Sequence, residues 1–314
     1  MKAAIVHAAG EPPRLGEFTD PVASGGTGIV RVAAASMSHL TFNRAAGTHY
    51  SSAGRFPFVP GVDGVGRLPD GRRVFFVLPE APFGSMAERA LVRAAHCVPV
   101  PDALDDVAAA ALVNPAMSSW GALTERARLR PGETVLVNGA TGMSGRLAVR
   151  IARHMGAGRV VATGRNRTVL DALDADIAIP LDGDEAAQAD RFREAFAAGV
   201  DVVLDYLWGP SAAQLLRAAA RSLGGDRPLR MVQIGAATGD TLPLSAALLR
   251  SAPIALMGSG LGSITDERLI GVIGALLAAA PAAGLVIPAA PVPLDGVEGA
   301  WSVQKDGRRV VFVP

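Results

Sequence analysis

The segment Val135-Leu136-Val137-Asn138-Gly139-Ala140-Thr141-Gly142-Met143-Ser144-Gly145-Arg146-Leu147-Ala148 admits few folds: a short apolar run, three glycines spaced by three, then a helix-forming run. That order is a strand, a tight turn and a helix. Gly139 and Gly142 can take backbone angles barred to other residues. Their missing Cβ leaves room for a diphosphate at the helix start, where free N–H groups and the helix dipole favour anions. Gly145 lets helix and strand pack closely. Gly139, Ala140, Thr141, Gly142, Met143, Ser144 and Gly145 are therefore candidate cofactor contacts, although the same spacing also serves a tight turn without a ligand.

From Thr134 onward, strands and helices alternate, which signals a parallel sheet with crossover helices. Six strands are expected, at Thr134 to Asn138, Arg159 to Thr163, Ile177 to Pro180, Val200 to Leu204, Leu229 to Ile234 and Pro253 to Gly258, making a doubly wound α/β sheet. Before them, short β-type runs at Ala3 to His7, Gly28 to Ala34, Arg73 to Leu78 and Ala87 to Val92 lie between Gly, Pro and Asp turns, and an Ala-rich helical run covers Leu104 to Leu112. A helix from Thr265 to Ala279 leads to a β-like tail, Val286 to Pro293 and Arg309 to Val313, resembling the N-terminal region in texture. The expected division is a first domain of residues 1–112 plus 259–314 and a second of residues 113–258.

Composition narrows the function. Hydrophobic residues make up 50% of the 314 and charged residues 19%, enough apolar surface for two packed cores. Thirty basic against 29 acidic residues, net charge +1, offer no broad field for nucleic acid or anionic lipid. No apolar stretch reaches the roughly 20 residues of a membrane span. Cys97 is the only cysteine and the N-terminus carries no secretory apolar core, so a cytoplasmic location is expected. Lys2 and Lys305 are the only lysines, which argues against a Walker loop, a Schiff-base lysine or a Tyr-x-x-x-Lys pair. The expected partners are small molecules.

The second strand runs into Gly164-Arg165-Asn166-Arg167, where an NAD enzyme would carry an acid for the ribose hydroxyls. Arg165 and Arg167 instead offer permanently charged planar donors suited to a 2′-phosphate, which favours NADPH; the alternative is that both are solvated loop residues.

With these residues, the chain resembles the medium-chain dehydrogenase/reductase superfamily, in its zinc-less quinone oxidoreductase branch, over essentially its whole length. Pro60-Gly61-Val62-Asp63-Gly64-Val65-Gly66, Val113-Asn114-Pro115-Ala116-Met117-Ser118-Ser119-Trp120 and the ending around Pro291 to Trp301 and Gly307 to Val311 carry the likeness. The resemblance implies a Rossmann domain inserted into a GroES-like β-barrel domain. Where zinc-dependent relatives have a Cys and a Gly-His-Glu segment, this chain has Ser38 and Val62-Asp63, and one cysteine cannot form a four-cysteine structural site. No metal is expected.

Hydride transfer from NADPH to a conjugated acceptor, a quinone or an α,β-unsaturated carbonyl, needs no Lewis acid, and the resemblance implies that reaction. The resemblance implies Tyr50 as a donor near the nicotinamide, with rim tyrosine as the alternative; Ser38 and Thr41 are further hydroxyl donors, or else satisfy local backbone groups. It also turns Asn114 and Ser118 toward the nicotinamide, although Asn114 before Pro115 can equally be a turn residue. Gly235, Gly258, Ser259 and Gly260 follow strand ends, where ligands of open α/β sheets bind. Reduction of an enoyl thioester and cofactor binding without turnover are the competing readings. By analogy with the family, a homodimer is expected through the edge near Pro253 to Gly258.

Overall fold

A computed structural model describes residues 1–48, 54–224, 227–301 and 307–314. The chain opens with β1 (Lys2–Ile5), β2 (Arg14–Glu17), β3 (Thr27–Ser36), α1 (His39–Ala45), β4 (Asp63–Arg67), β5 (Arg73–Val77), β6 (Arg89–Arg93) and β7 (Cys97–Pro99). Next come α2 (Asp106–Gly121), β8 (Thr134–Asn138), α3 (Met143–His154), β9 (Arg159–Gly164), α4 (Arg167–Asp171), β10 (Ile177–Pro180), α5 (Glu185–Ala197), β11 (Val202–Asp205), α6 (Gly209–Ser222), β12 (Leu229–Gln233), α7 (Ala246–Ser251) and β13 (Ile254–Gly258). It ends with α8 (Asp266–Ala279), β14 (Ala289–Pro293), α9 (Val297–Ala300) and β15 (Arg309–Val313).

Two compact units result, Met1–Asn114 with Asp266–Pro314, and Pro115–Thr265. The second boundary thus lies after the loop that follows β13, where the sequence reading put it at the strand's end. In the first unit, the tail strand β15 pairs antiparallel with β3, so the returning chain joins a seven-stranded sheet of order β14-β15-β3-β4-β5-β7, with β6 also on β3. Its core gathers Met37, Phe76, Met86, Val297 and Phe312. The sequence reading gave no strand at β4, whose two glycines look unfavourable for one. They are required by contact: a Cβ on Gly66 would lie 2.3 Å from the Arg31 carbonyl oxygen.

The second unit is a six-stranded parallel sheet of order β10-β9-β8-β11-β12-β13. Apolar residues fill both its faces, as expected of a parallel sheet flanked by helices; Leu136, Val161, Phe192, Phe196, Leu215 and Met231 lie in one cluster. The order reverses direction between β8 and β11, the switch point at which ligands of such sheets bind, outside the carboxyl ends of the strands.

Pro115 does not end α2, so the alternative of a turn at Asn114 does not hold. The helix runs on to Gly121 with the proline inside it. Proline removes one backbone donor, and complete burial of Ala109, Ala110, Ala111, Val113 and Ala116 offsets that loss. Asn114 is therefore a helix-interior residue.

Candidate functional site

The glycine turn lies at the carboxyl end of β8, at the switch point. Its three glycines are there for different reasons. Gly139 has φ +92°, and a Cβ there would press on the Leu207 side chain at 3.0 Å. A Cβ on Gly145 would stand 2.3 Å from the Gly139 carbonyl oxygen and 2.7 Å from the Ala140 Cα, so this glycine lets α3 meet the strand end. Gly142 would meet only ordinary contact, with the Gly139 oxygen at 3.6 Å. It is the N-cap of α3 and supplies no side-chain cap. A twelve-residue helix thus begins without a side-chain oxygen at its positive end and with no Cβ beside it, which is the arrangement a diphosphate fits. Thr141, Met143 and Ser144 are half-buried around this start and Ala140 is buried beneath it.

A buried polar network that sequence reasoning missed supports the turn. Thr163 Oγ1 accepts from Gly139 N at 3.1 Å and donates to Asn138 Oδ1 at 2.7 Å. Ser211 Oγ donates to the same Asn138 oxygen at 2.9 Å, and Asn138 Nδ2 donates to Asp205 Oδ1 at 2.8 Å. Asp205 Oδ1 also accepts from the Leu207 and Trp208 amides, both at 3.1 Å. Burial pushes the Asp205 carboxyl pKa up, against these hydrogen bonds, which pull it down. The available signal was that three apolar strands, Val-Leu-Val-Asn, Val-Val-Ala-Thr and Val-Val-Leu-Asp, each reach a polar residue at the same edge.

At the end of β9, a Cβ on Gly164 would stand 2.3 Å from Thr141 Cγ2, so this glycine packs the two turns together. Arg165 is exposed and has no acidic partner among the described residues. Arg167 is otherwise engaged: its Nε donates to Asp182 Oδ2 at 2.8 Å. Arg146, on the first turn of α3, holds the Thr141 carbonyl at 3.1 Å and adds a cation that sequence analysis did not consider.

The remaining cofactor candidates of the second unit lie at the same carboxyl edge. A Cβ on Gly235 would come within 2.8 Å of the Tyr206 carbonyl oxygen. Gly258 O accepts from Arg126 Nε at 2.9 Å, Ser259 N donates to Gln233 O at 2.8 Å, and Gly260 N donates to Ser263 Oγ at 2.9 Å. Ser118 Oγ donates to Pro115 O at 2.8 Å and lies 3.3 Å from the Tyr206 hydroxyl, whose pKa burial pushes up to about 12.

In the first unit, Asn114 is joined to a buried polar cluster. Its Nδ2 donates to Asp63 Oδ2 at 2.8 Å, Ser36 Oγ donates to Asp63 Oδ1 at 3.1 Å, and Arg309 Nη2 approaches Asn114 Oδ1 at 3.4 Å and Ser36 Oγ at 3.5 Å. Burial raises the Asp63 pKa and lowers that of Arg309, while each charge pulls the other back. The resemblance assigned the Asn114 side chain to the nicotinamide; here its amide is committed to Asp63. Ser38 is the N-cap of α1, with Oγ accepting from Thr41 N at 3.0 Å and lying 3.0 Å from Thr41 Oγ1.

Thr41 also lines a cavity of about 470 Å³ within this unit, walled by Phe56, Phe58, Val59, Val62, Phe83 and several prolines, with Arg44 and Arg55 its charged members. Tyr50 lies outside the described residues. Among the described residues, no three His, Cys, Asp or Glu side chains converge as a metal site. No helix among them is long and apolar enough to cross a membrane.

No protein-family model matches the sequence. A probable NADPH-dependent quinone reductase of Emericella nidulans is 30% identical, with 91% of each chain covered. The quinone oxidoreductase of Thermus thermophilus, solved alone and with NADPH, superposes with a TM-score of 0.81 at 29% identity over 100% of both chains. A mycocerosic acid synthase-like polyketide synthase of Mycobacterium tuberculosis is 34% identical over 55% of this chain, and the match spans 8% of that much longer protein.

Proposed function

The chain belongs to the medium-chain dehydrogenase/reductase superfamily, in its zinc-less quinone oxidoreductase-like branch, and we propose that it is an NADPH-dependent reductase of quinones. The observation that carries this reading is the uncapped start of α3 beneath Gly142, at the switch point of a parallel sheet. The amides of that helix start would hold the diphosphate, Arg165 the 2′-phosphate, and Gly235 with the Gly258 to Gly260 turn the ribose and nicotinamide. Bound NADPH would supply a hydride that, with one proton, takes a quinone to its hydroquinone.

The protein's own part is to hold the acceptor and stabilise charge on its oxygen. The cavity beside α1 would enclose the acceptor ring between Phe56, Phe58 and Phe83. If Ser38 donates its hydroxyl proton to Thr41 Oγ1, the Thr41 proton is left to point at an acceptor oxygen, a donor aimed where negative charge develops. Tyr50 remains the candidate proton donor by family resemblance. The free edge of β13 would pair two copies in a homodimer, and the lone cysteine is consistent with the cytoplasm.

The test is steady-state quinone reduction with NADPH and NADH. Arg165→Ala is expected to raise the KM for NADPH about 10- to 100-fold, the worth of one or two hydrogen bonds to a charged group, and to leave the KM for NADH nearly unchanged. Equal loss with both coenzymes would remove Arg165 from the phosphate site.

A further inference from the structure

Arg44 differs from the other half-buried arginines among the described residues, which either pair with a carboxylate or are held by backbone carbonyls, as Arg126 is by Gly258 O at 2.9 Å and Arg159 by Gly199 O at 2.7 Å. Arg73 pairs with Asp106 at 2.6 Å, Arg153 with Asp176 at 2.6 Å and Arg230 with Glu133 at 2.6 Å. Arg44, on the last turn of α1, is half-buried and has no acidic partner among the described residues. Burial lowers its pKa, with no neighbouring carboxylate to raise it again. A guanidinium withdrawn from water without a counter-charge is costly to a fold, and here it lines a cavity rather than a packed core. Arg55 lines the same cavity, and no aspartate or glutamate does among the described residues. The remaining wall is aromatic and aliphatic, with Thr41 as a hydroxyl.

Resting on the quinone-reductase reading, we propose that the acceptor is a planar ring carrying an anionic group, whose ring lies among Phe56, Phe58 and Phe83 and whose anion pairs with Arg44, with Arg55 reinforcing the charge. A hydroxyquinone is such a molecule, because its hydroxyl is a vinylogous carboxylic acid and is ionised at neutral pH. Arginine suits it, since its planar fork can meet two oxygens at once. A second source of the same anionic chemistry is the phosphate of a carrier-bound thioester, and the assay separates the two.

The experiment compares naphthoquinone, hydroxynaphthoquinone and crotonyl-coenzyme A as acceptors with NADPH, in the wild type, Arg44→Gln, Arg44→Lys and the surface control Arg217→Gln, each checked by thermal melting. The wild type is expected to favour hydroxynaphthoquinone over naphthoquinone by about tenfold or more in kcat/KM, through KM, the worth of one charge-assisted hydrogen bond. That ratio should collapse toward one in Arg44→Gln, recover in part in Arg44→Lys and persist in Arg217→Gln. The same ratio in wild type and Arg44→Gln would overturn the proposal. So would crotonyl-coenzyme A as the acceptor most sensitive to Arg44, which would assign the cation to a thioester's phosphates. Equilibrium binding of hydroxynaphthoquinone is measured alongside. If no quinone is turned over, the reductase reading fails, while tighter binding to wild type than to Arg44→Gln would still uphold the anion site and equal binding would overturn it.

Discussion

Replacing Asp63 by alanine is expected to destabilise the protein by about 3–5 kcal/mol, the cost of removing one partner of a buried charge pair. Asp63 is wholly buried and Arg309 nearly so. The carboxylate accepts from Ser36 and Asn114, and its charge opposes the burial penalty on Arg309. Alanine would leave the Arg309 charge without that carboxylate and two donors without their acceptor. Asp63→Asn, which keeps one carbonyl oxygen, should cost less. The pH dependence has a definite sign. Because burial raises the Asp63 pKa in the folded state, the native protein binds this proton more readily than the unfolded chain. Wild-type stability should therefore fall relative to Asp63→Asn as pH rises from the ordinary aspartate range through the raised folded value. Urea unfolding across that window measures it; a loss below about 1 kcal/mol in Asp63→Ala would mean that the cluster contributes little.

Gly145→Val is expected to cost about 3 kcal/mol and to lower NADPH affinity on the order of 100-fold. The atoms its Cβ would strike are the Gly139 oxygen at 2.3 Å and the Ala140 Cα at 2.7 Å, both backbone. No flexible side chain can yield, so α3 must lift from the end of β8 and take with it the amides proposed to hold the diphosphate. Gly142→Ala provides the contrast. Its Cβ meets nothing nearer than 3.6 Å, so melting should stay close to wild type while NADPH affinity falls, because the added methyl occupies the approach to the helix start. Equal thermal stability of Gly145→Val and Gly142→Ala would refute the division of labour among the glycines.

The parallel sheet was legible because its strands are continuous apolar runs separated by helix-length segments, and the turn after β8 because its glycines follow a strand directly. The start of α2 was legible in its run of alanines from Leu104 to Leu112, whereas the burial that carries the helix past Pro115 is tertiary. Strand β4 was hidden because Gly64 and Gly66 have poor strand propensity, and only the proximity of Ala34, Phe76 and Arg31 explains them. The Asn138, Thr163 and Asp205 network joins strands distant in sequence, and the partners of Asp63 come from β3, α2 and β15. Spacing along the chain carries no trace of such pairings. Arg44 was missed for a related reason: what distinguishes it is that, among the described residues, neither an acid nor a backbone carbonyl holds it, which only the folded arrangement reveals. Arg167 illustrates the converse, a well-placed cation in sequence that Asp182 occupies in space.

The most direct test of quinone reduction is to mix the purified chain with NADPH and naphthoquinone and follow the loss of reduced nicotinamide absorbance, with NADH in parallel and after exhaustive treatment with a chelator. Turnover that prefers NADPH and survives the chelator is the expected result. Tight NADPH binding with no oxidation by any quinone would contradict it and leave a protein that keeps the cofactor fold without the reaction.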